Sequence, residues 1–280
     1  MRRFALTIAV AVAAASPGAA AESQPAAAPV ALSYADLADL ALAAPVAAHV
    51  RVRNAVALKG EQAAGVPAGK TRFYVEADIV SLIRGAQGLP SRVSYLVDLP
   101  DDARGRPRKL RRKDELILLA APVPGHAGEL RLVAPDAQLG FTPARAAQLR
   151  AILQEAAGDE APPAITGIGR AFHVPGSLPG ESETQIFLQT ADNRPVSLNV
   201  LRRPGQAPRW AVALTEIVDD AAAPPQADSL LWYRLACTLP RSLPRQSLAE
   251  AEPGQTNAIE ADYRLILERL GPCTRTRARA

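Results

Sequence analysis

Between residues 50 and 133 apolar and polar side chains alternate in one short run after another, and a period of two over so long a stretch points to β-structure. Val50, Val52, Val56 and Leu58 alternate with Arg51, Arg53 and Ala57. Phe73, Val75, Ala77 and Ile79 alternate with Arg72, Tyr74, Glu76 and Asp78, and Val93, Tyr95 and Val97 repeat the pattern. Residues 115–120 are apolar in almost every position, the mark of a strand buried on both faces. Residues 129–133 supply a fifth strand. Five strands at this spacing, with helices at the edges, fit a small closed barrel.

The helices announce themselves through their ends. Ser33 followed by Asp36 has the spacing of a capping box, Leu37 and Leu40 give one buried stripe, and Pro45 closes the segment. Thr142-Pro143 reads as an N-cap with Pro at the first helical position. Ala146, Leu149, Ile152, Leu153 and Ala156 then share a face up to Gly158.

The stretch TRFYVEADIVSLIRGAQGLPSRVSYLVDLP, followed by DELILLAAPV and ELRLV, resembles the secreted OB-type domains of the netrin and metalloprotease-inhibitor group. That resemblance covers residues 71–133 and implies an OB-like barrel. The inhibitory N-terminal Cys of that group is absent here, so protease inhibition is not implied. The chain as a whole resembles uncharacterised exported proteins of Gram-negative bacteria, which implies an address and no activity.

The fold class expected is α+β: an OB-like barrel with terminal helices over residues 33–158, a linker at 159–164 carrying Asp159 to Pro163 (DEAPP), a β-rich unit over 165–223 and a helical region over 224–280. In the second half, residues 165–173, 184–190, 196–201 and 210–214 read as strands, and Asn193 lies in a hairpin turn. Ile259, Tyr263, Ile266 and Leu270 form one helical stripe ended by Gly271.

Residues 1–21 have the three parts of a secretory signal: Arg2 and Arg3, an apolar run from Phe4, and the small residues Ala19, Ala20 and Ala21. The run is shorter than the roughly 20 residues a membrane span needs. Export to the periplasm with cleavage near Ala21 is therefore expected, leaving a flexible Ala- and Pro-rich leader at 22–32 and no transmembrane segment in the mature chain. Loss of the two arginines lowers the net charge from +4 to +2, too near neutral to define a polyanion binder. In an oxidising compartment Cys237 and Cys273 have one intramolecular pairing, a structural disulfide worth about 3–4 kcal/mol by the chain-entropy account.

Two motifs fail on spacing. The loop from Gly65 to Thr71 has three residues between its glycines where a phosphate loop needs four, and Gly167-Ile168-Gly169 meets Phe172 where a dinucleotide fingerprint needs Gly. No cofactor is expected. Three histidines and two cysteines argue against a metal centre, although Glu181 and Glu183, about 7 Å apart along a strand, would suit a calcium ion or an acid–base pair. A solvent-facing edge is the plainer expectation for both.

Two segments carry functional alternatives. Arg104, Arg106, Arg108, Lys109, Arg111, Arg112 and Lys113 form the densest charge in the chain and could meet an anionic surface of lipid or lipopolysaccharide. The flanking acids argue for a solvated hairpin tip, and the absence of aromatics argues against nucleic acid. His173 with Ser182 or Ser177 and an acid such as Asp219 could form a hydrolase triad, although no nucleophile elbow surrounds either serine. The first expectation is a non-enzymatic binding or structural protein of the bacterial cell envelope, its partner an unknown envelope protein. A periplasmic hydrolase and an anionic-surface binder are the alternatives. Trp232 and Tyr233 are expected to pack rather than bind, and the tail carrying Arg275, Arg277 and Arg279 to fray.

Overall fold

A computed structural model describes residues 32–85, 89–108, 110–215 and 222–277. Residues 1–31, which hold the expected signal segment and all of the leader but Leu32, lie outside the described residues, as do Lys109 and Asp219. Helix α1 (Tyr34–Ala43) begins with the capping box: Ser33 Oγ accepts from the Asp36 amide and the Asp36 carboxylate from the Ser33 amide, both at 3.1 Å. Strands β1 (Val46–Ala57), β2 (Lys70–Arg84), β3 (Arg92–Pro100), β4 (Glu115–Pro122) and β5 (Glu129–Leu132) follow. They pair in the order β1-β2-β3-β5-β4, and β4 returns to β1 to close the barrel. Every pairing is antiparallel except β3 with β5. This is the order of an OB-like Greek-key barrel. A short β6 (Gln138–Gly140), too brief to show in the sequence pattern, pairs with the first half of β4.

Inward side chains from the alternating runs fill the barrel, among them Val50, Val52, Phe73, Val75, Val97 and Leu118. Tyr95 also points in, and its hydroxyl donates to Gln138 Oε1 of β6 at 2.6 Å. Strand β4 is buried on both faces, as its unbroken apolar run requires. Leu116 and Leu118 face the barrel, while Ile117 and Leu119 face a second core built with α1 and with α2 (Pro143–Ala157). Helix α2 is capped by Thr142 Oγ1, which accepts from the Arg145 amide at 3.1 Å.

One phase expectation is corrected. Val56 does not point inward with Val50 and Val52; it is 47% exposed. A register shift in the β1–β2 ladder between Val52 and Asn54 moves Ala55 and Ala57 to the core side and turns Val56 out. A bulge does this because one extra residue in a period-two strand exchanges its faces.

The second sheet runs in the order β10-β9-β8-β7, from β7 (Ile165–Pro175), β8 (Ser182–Thr190), β9 (Val196–Arg202) and β10 (Arg209–Ala213). Gly167 and Gly169, the failed dinucleotide motif, lie inside β7, where a Cβ at Gly169 would sit 3.3 Å from the Phe187 carbonyl. Helix α4 (Thr256–Leu270) lays Ile259, Tyr263, Ile266 and Leu270 on this sheet, together with Leu235 of α3 (Leu230–Ala236). Cys237 and Cys273 are joined, fastening the end of α3 to the segment after α4. Among the described residues no helix is long and apolar enough to cross a membrane.

The tail is a further correction. Arg275 Nε donates to Asp39 Oδ2 at 2.6 Å, and Arg277 holds Asp136 through two bonds of 2.7 and 2.5 Å. Arg279 lies outside the described residues. Trp232 and Tyr233 join the same fastening: Trp232 Nε1 donates to the Leu270 carbonyl at 2.8 Å, and the Tyr233 hydroxyl to Asp39 Oδ1 at 2.6 Å.

Candidate functional site

The His173 loop is organised around a threonine. His173 Nδ1 lies 2.8 Å from Thr184 Oγ1, its partner across the β7–β8 ladder. That hydroxyl donates to Asp262 Oδ2 on α4 at 2.5 Å, and Arg202 of β9 donates to Asp262 Oδ1 at 2.8 Å. Thr184 and Asp262 are almost completely buried, so this chain of bonds ties α4 to three strands rather than opening to a substrate. Among the described residues His173 has no hydrogen bond to Ser182 or Ser177. Ser182 pairs in register with Pro175, and among the described residues Ser177 Oγ reaches only Glu181, at 3.5 Å. Asp219 lies outside the described residues.

Glu181 and Glu183 do not share one open edge. Glu181 folds over its own turn, its carboxylate 3.4 Å from the Leu178 amide, while Glu183 stands exposed on β8. Among the described residues no cluster of His, Cys, Asp and Glu could hold a metal ion.

The basic segment is not a hairpin tip. Strands β3 and β4 are separated by β5 in the sheet, so residues 101–108 and 110–114 lie across one end of the barrel. Leu110 packs against the barrel core, and the Lys113 amide donates to the Val52 carbonyl at 2.8 Å. Arg106 is paired with Asp102 at 2.9 Å. Among the described residues Arg104, Arg108, Arg111, Arg112 and Lys113 are exposed and have no ionic partner. Their charges therefore project into solvent from one end of the barrel.

The surface that sequence reasoning missed is the outer face of β1, β2, β3 and β5. Val56 lies opposite Tyr74, and Tyr74 opposite Leu96, making one row across three strands. These side chains are 47%, 38% and 50% exposed. On β5, the pairing of Tyr95 with Leu130 sets exposed Arg131 next in the row, beside Leu96. Apolar groups set side by side on an outward face cost solvation unless something covers them. The rim is polar. Arg72 grips Asp98 through two bonds of 2.7 and 2.8 Å, which hold the Asp98 carboxyl below its usual range. Two shallow clefts adjoin the row. One of about 300 Å³ lies between Tyr74, Leu96, Val123 and Arg131, and one of about 440 Å³ between residues 96–98 and 131–135. The only sequence signal was Tyr74 and Leu96 standing at outward phases, where a solvated strand carries polar residues.

Fold and face together describe a closed five-stranded barrel that carries an exposed apolar row on its outer side. The chain matches no protein-family model, and no curated protein is significantly similar to it.

Proposed function

We propose that this chain is an exported, non-enzymatic binding protein of a bacterial cell envelope, with the outer face of β2 and β3 as its contact surface. The observation that carries this reading is the exposed row Val56, Tyr74 and Leu96, bordered by charges and flanked by two clefts. The signal-like residues 1–21 support export, and the Cys237–Cys273 disulfide agrees with an oxidising compartment. The test is crosslinking in intact cells with the wild-type chain and Leu96→Asp. A partner adduct is expected from the wild type and its loss from a variant that keeps its far-ultraviolet spectrum and melting temperature. An adduct indifferent to Leu96→Asp would remove this face from the account. Mass spectrometry of the periplasmic protein should find Glu22 at its N-terminus.

The exposed cations Arg104, Arg108, Arg111, Arg112 and Lys113, which have no ionic partner among the described residues, favour a second reading, contact with an anionic lipid or lipopolysaccharide surface. It predicts retention on vesicles containing phosphatidylglycerol that falls steeply between about 50 and 200 mM salt, as the Debye length shortens to about 7 Å. Retention that ignores salt would contradict it.

A further inference from the structure

Strand β3 is paired along its whole length on one side only. Its ladder with β2 runs from Arg92 to Pro100, whereas its ladder with β5 covers Ser94 and Tyr95 alone. Beyond Tyr95 the neighbouring segment diverges: the Val133 amide stays with β4, donating to the Leu119 carbonyl at 3.1 Å, while β3 continues to Pro100 without it. The cleft of about 440 Å³ occupies that divergence, with Leu96, Val97 and Asp98 on one wall and residues 131–135 on the other.

Ladder alternation says what main-chain groups face the gap. The Ser94 amide donates to the Gly128 carbonyl at 2.9 Å, so the even-numbered residues of β3 turn their backbone groups toward β5. Asp98 therefore aims its N–H and C=O into the cleft, where the ladder with β5 has ended. An open strand edge of this kind pairs with any extended chain that reaches it. Side chains sort what enters. Leu96, Val97, Leu132 and Val133 make the walls apolar, and Arg131 stands exposed at the mouth with no ionic partner among the described residues. Arg72 and Asp98 neutralise each other, leaving the site a net cation.

We infer that the β3–β5 cleft takes an extended polypeptide segment, apolar at alternate positions and carrying an acidic residue, which adds as a strand to the free edge of β3 at residues 96–98. The inference rests on the binding reading above and gives it a partner chemistry. Strand addition draws its affinity from main-chain bonds and its selectivity from alternate side chains. It needs no preformed deep pocket, which accords with clefts as shallow as these.

The experiment is a titration of the ¹⁵N-labelled mature chain with an equimolar pool of blocked ten-residue peptides. Their alternate positions vary over Val, Ile, Leu and Phe, and Glu lies between them. Shifts are expected at the amides of Leu96, Asp98 and Leu132, with slowed hydrogen exchange at Asp98. N-methylation of every second peptide amide along the pairing edge should abolish binding, while methylation of the other edge should leave it within about twofold. Arg131→Glu, a surface change that leaves the core intact, should weaken the Glu pool about tenfold and favour a matching Lys pool, as complementary charge dictates. Absence of binding up to about 1 mM would overturn the inference, as would indifference to which edge is methylated. Shifts confined to residues 104–113, or self-association that the pool does not disperse, would overturn it too. If the cell adduct that depends on Leu96 persists while the peptides fail, the face binds and strand addition is not how it does so.

Discussion

Asp36 serves two ends of the chain with one carboxylate. It closes the capping box with Ser33 and also accepts from the Thr276 amide at 2.9 Å and the Thr276 hydroxyl at 2.5 Å. Burial pushes its pKa up, but these hydrogen bonds outweigh burial and leave it at about 2, against an ordinary 3.8. A folded-state pKa below the unfolded one stabilises the fold above the unfolded value, and that contribution disappears as pH falls through the folded value. Stability should therefore be level near neutrality and decline between about pH 4 and pH 2, and Asp36→Asn should flatten that decline. At pH 7 Asp36→Asn should cost about 2 kcal/mol in urea unfolding, the range for hydrogen bonds to a charged group. The capping box was legible because its members are three residues apart. Thr276 is 240 residues away, and a polar residue in a basic tail carries no sign of where it will dock.

Elements built from a repeating pattern were readable; elements defined by a partner were not. The five barrel strands and the stripe of α4 follow from periodicity, since a period of two or 3.6 states which face is buried. Strand β6 is three residues long and exists because β4 offers it an edge. Val56 was misplaced because a bulge in β1 leaves no mark in composition. Ile117 and Leu118 lie on opposite faces of β4 and both are completely buried. Ile117→Ala and Leu118→Ala should therefore each cost about 2–5 kcal/mol in denaturant unfolding, through separate cores. The network at α4 makes a different forecast. Asp262→Ala removes the acceptor shared by Thr184 and Arg202 and should cost about 2–3 kcal/mol, because it strands the buried Thr184 hydroxyl and the partly exposed Arg202 guanidinium. His173 is only half-buried, and His173→Ala should cost about 1 kcal/mol. If the two substitutions proved equally costly, the hierarchy assigned to this network would be wrong.

Over the whole molecule, the Cys237–Cys273 bond delivers residues 275–277 to α1 and Asp136, so this segment is fastened to the first helix and to the loop before β6. Reduction should lower unfolding free energy by about 3–4 kcal/mol, read as a fall in melting temperature on adding a thiol. The disulfide, the barrel and the second sheet were all foreseeable from the sequence. The contact face was not, because it arises from strand order: Val56, Tyr74 and Leu96 lie far apart along the chain and become neighbours only once β1, β2 and β3 pair. The candidates drawn from local motifs, the His173 loop and the basic segment, were conspicuous in the sequence for the opposite reason. The most direct test replaces residues 96, 108 and 177 in turn with a photo-crosslinking amino acid and irradiates intact cells. The account predicts a discrete adduct from position 96 and none from position 177. Adducts from position 108 or 177 alone, or from none of the three, would contradict it.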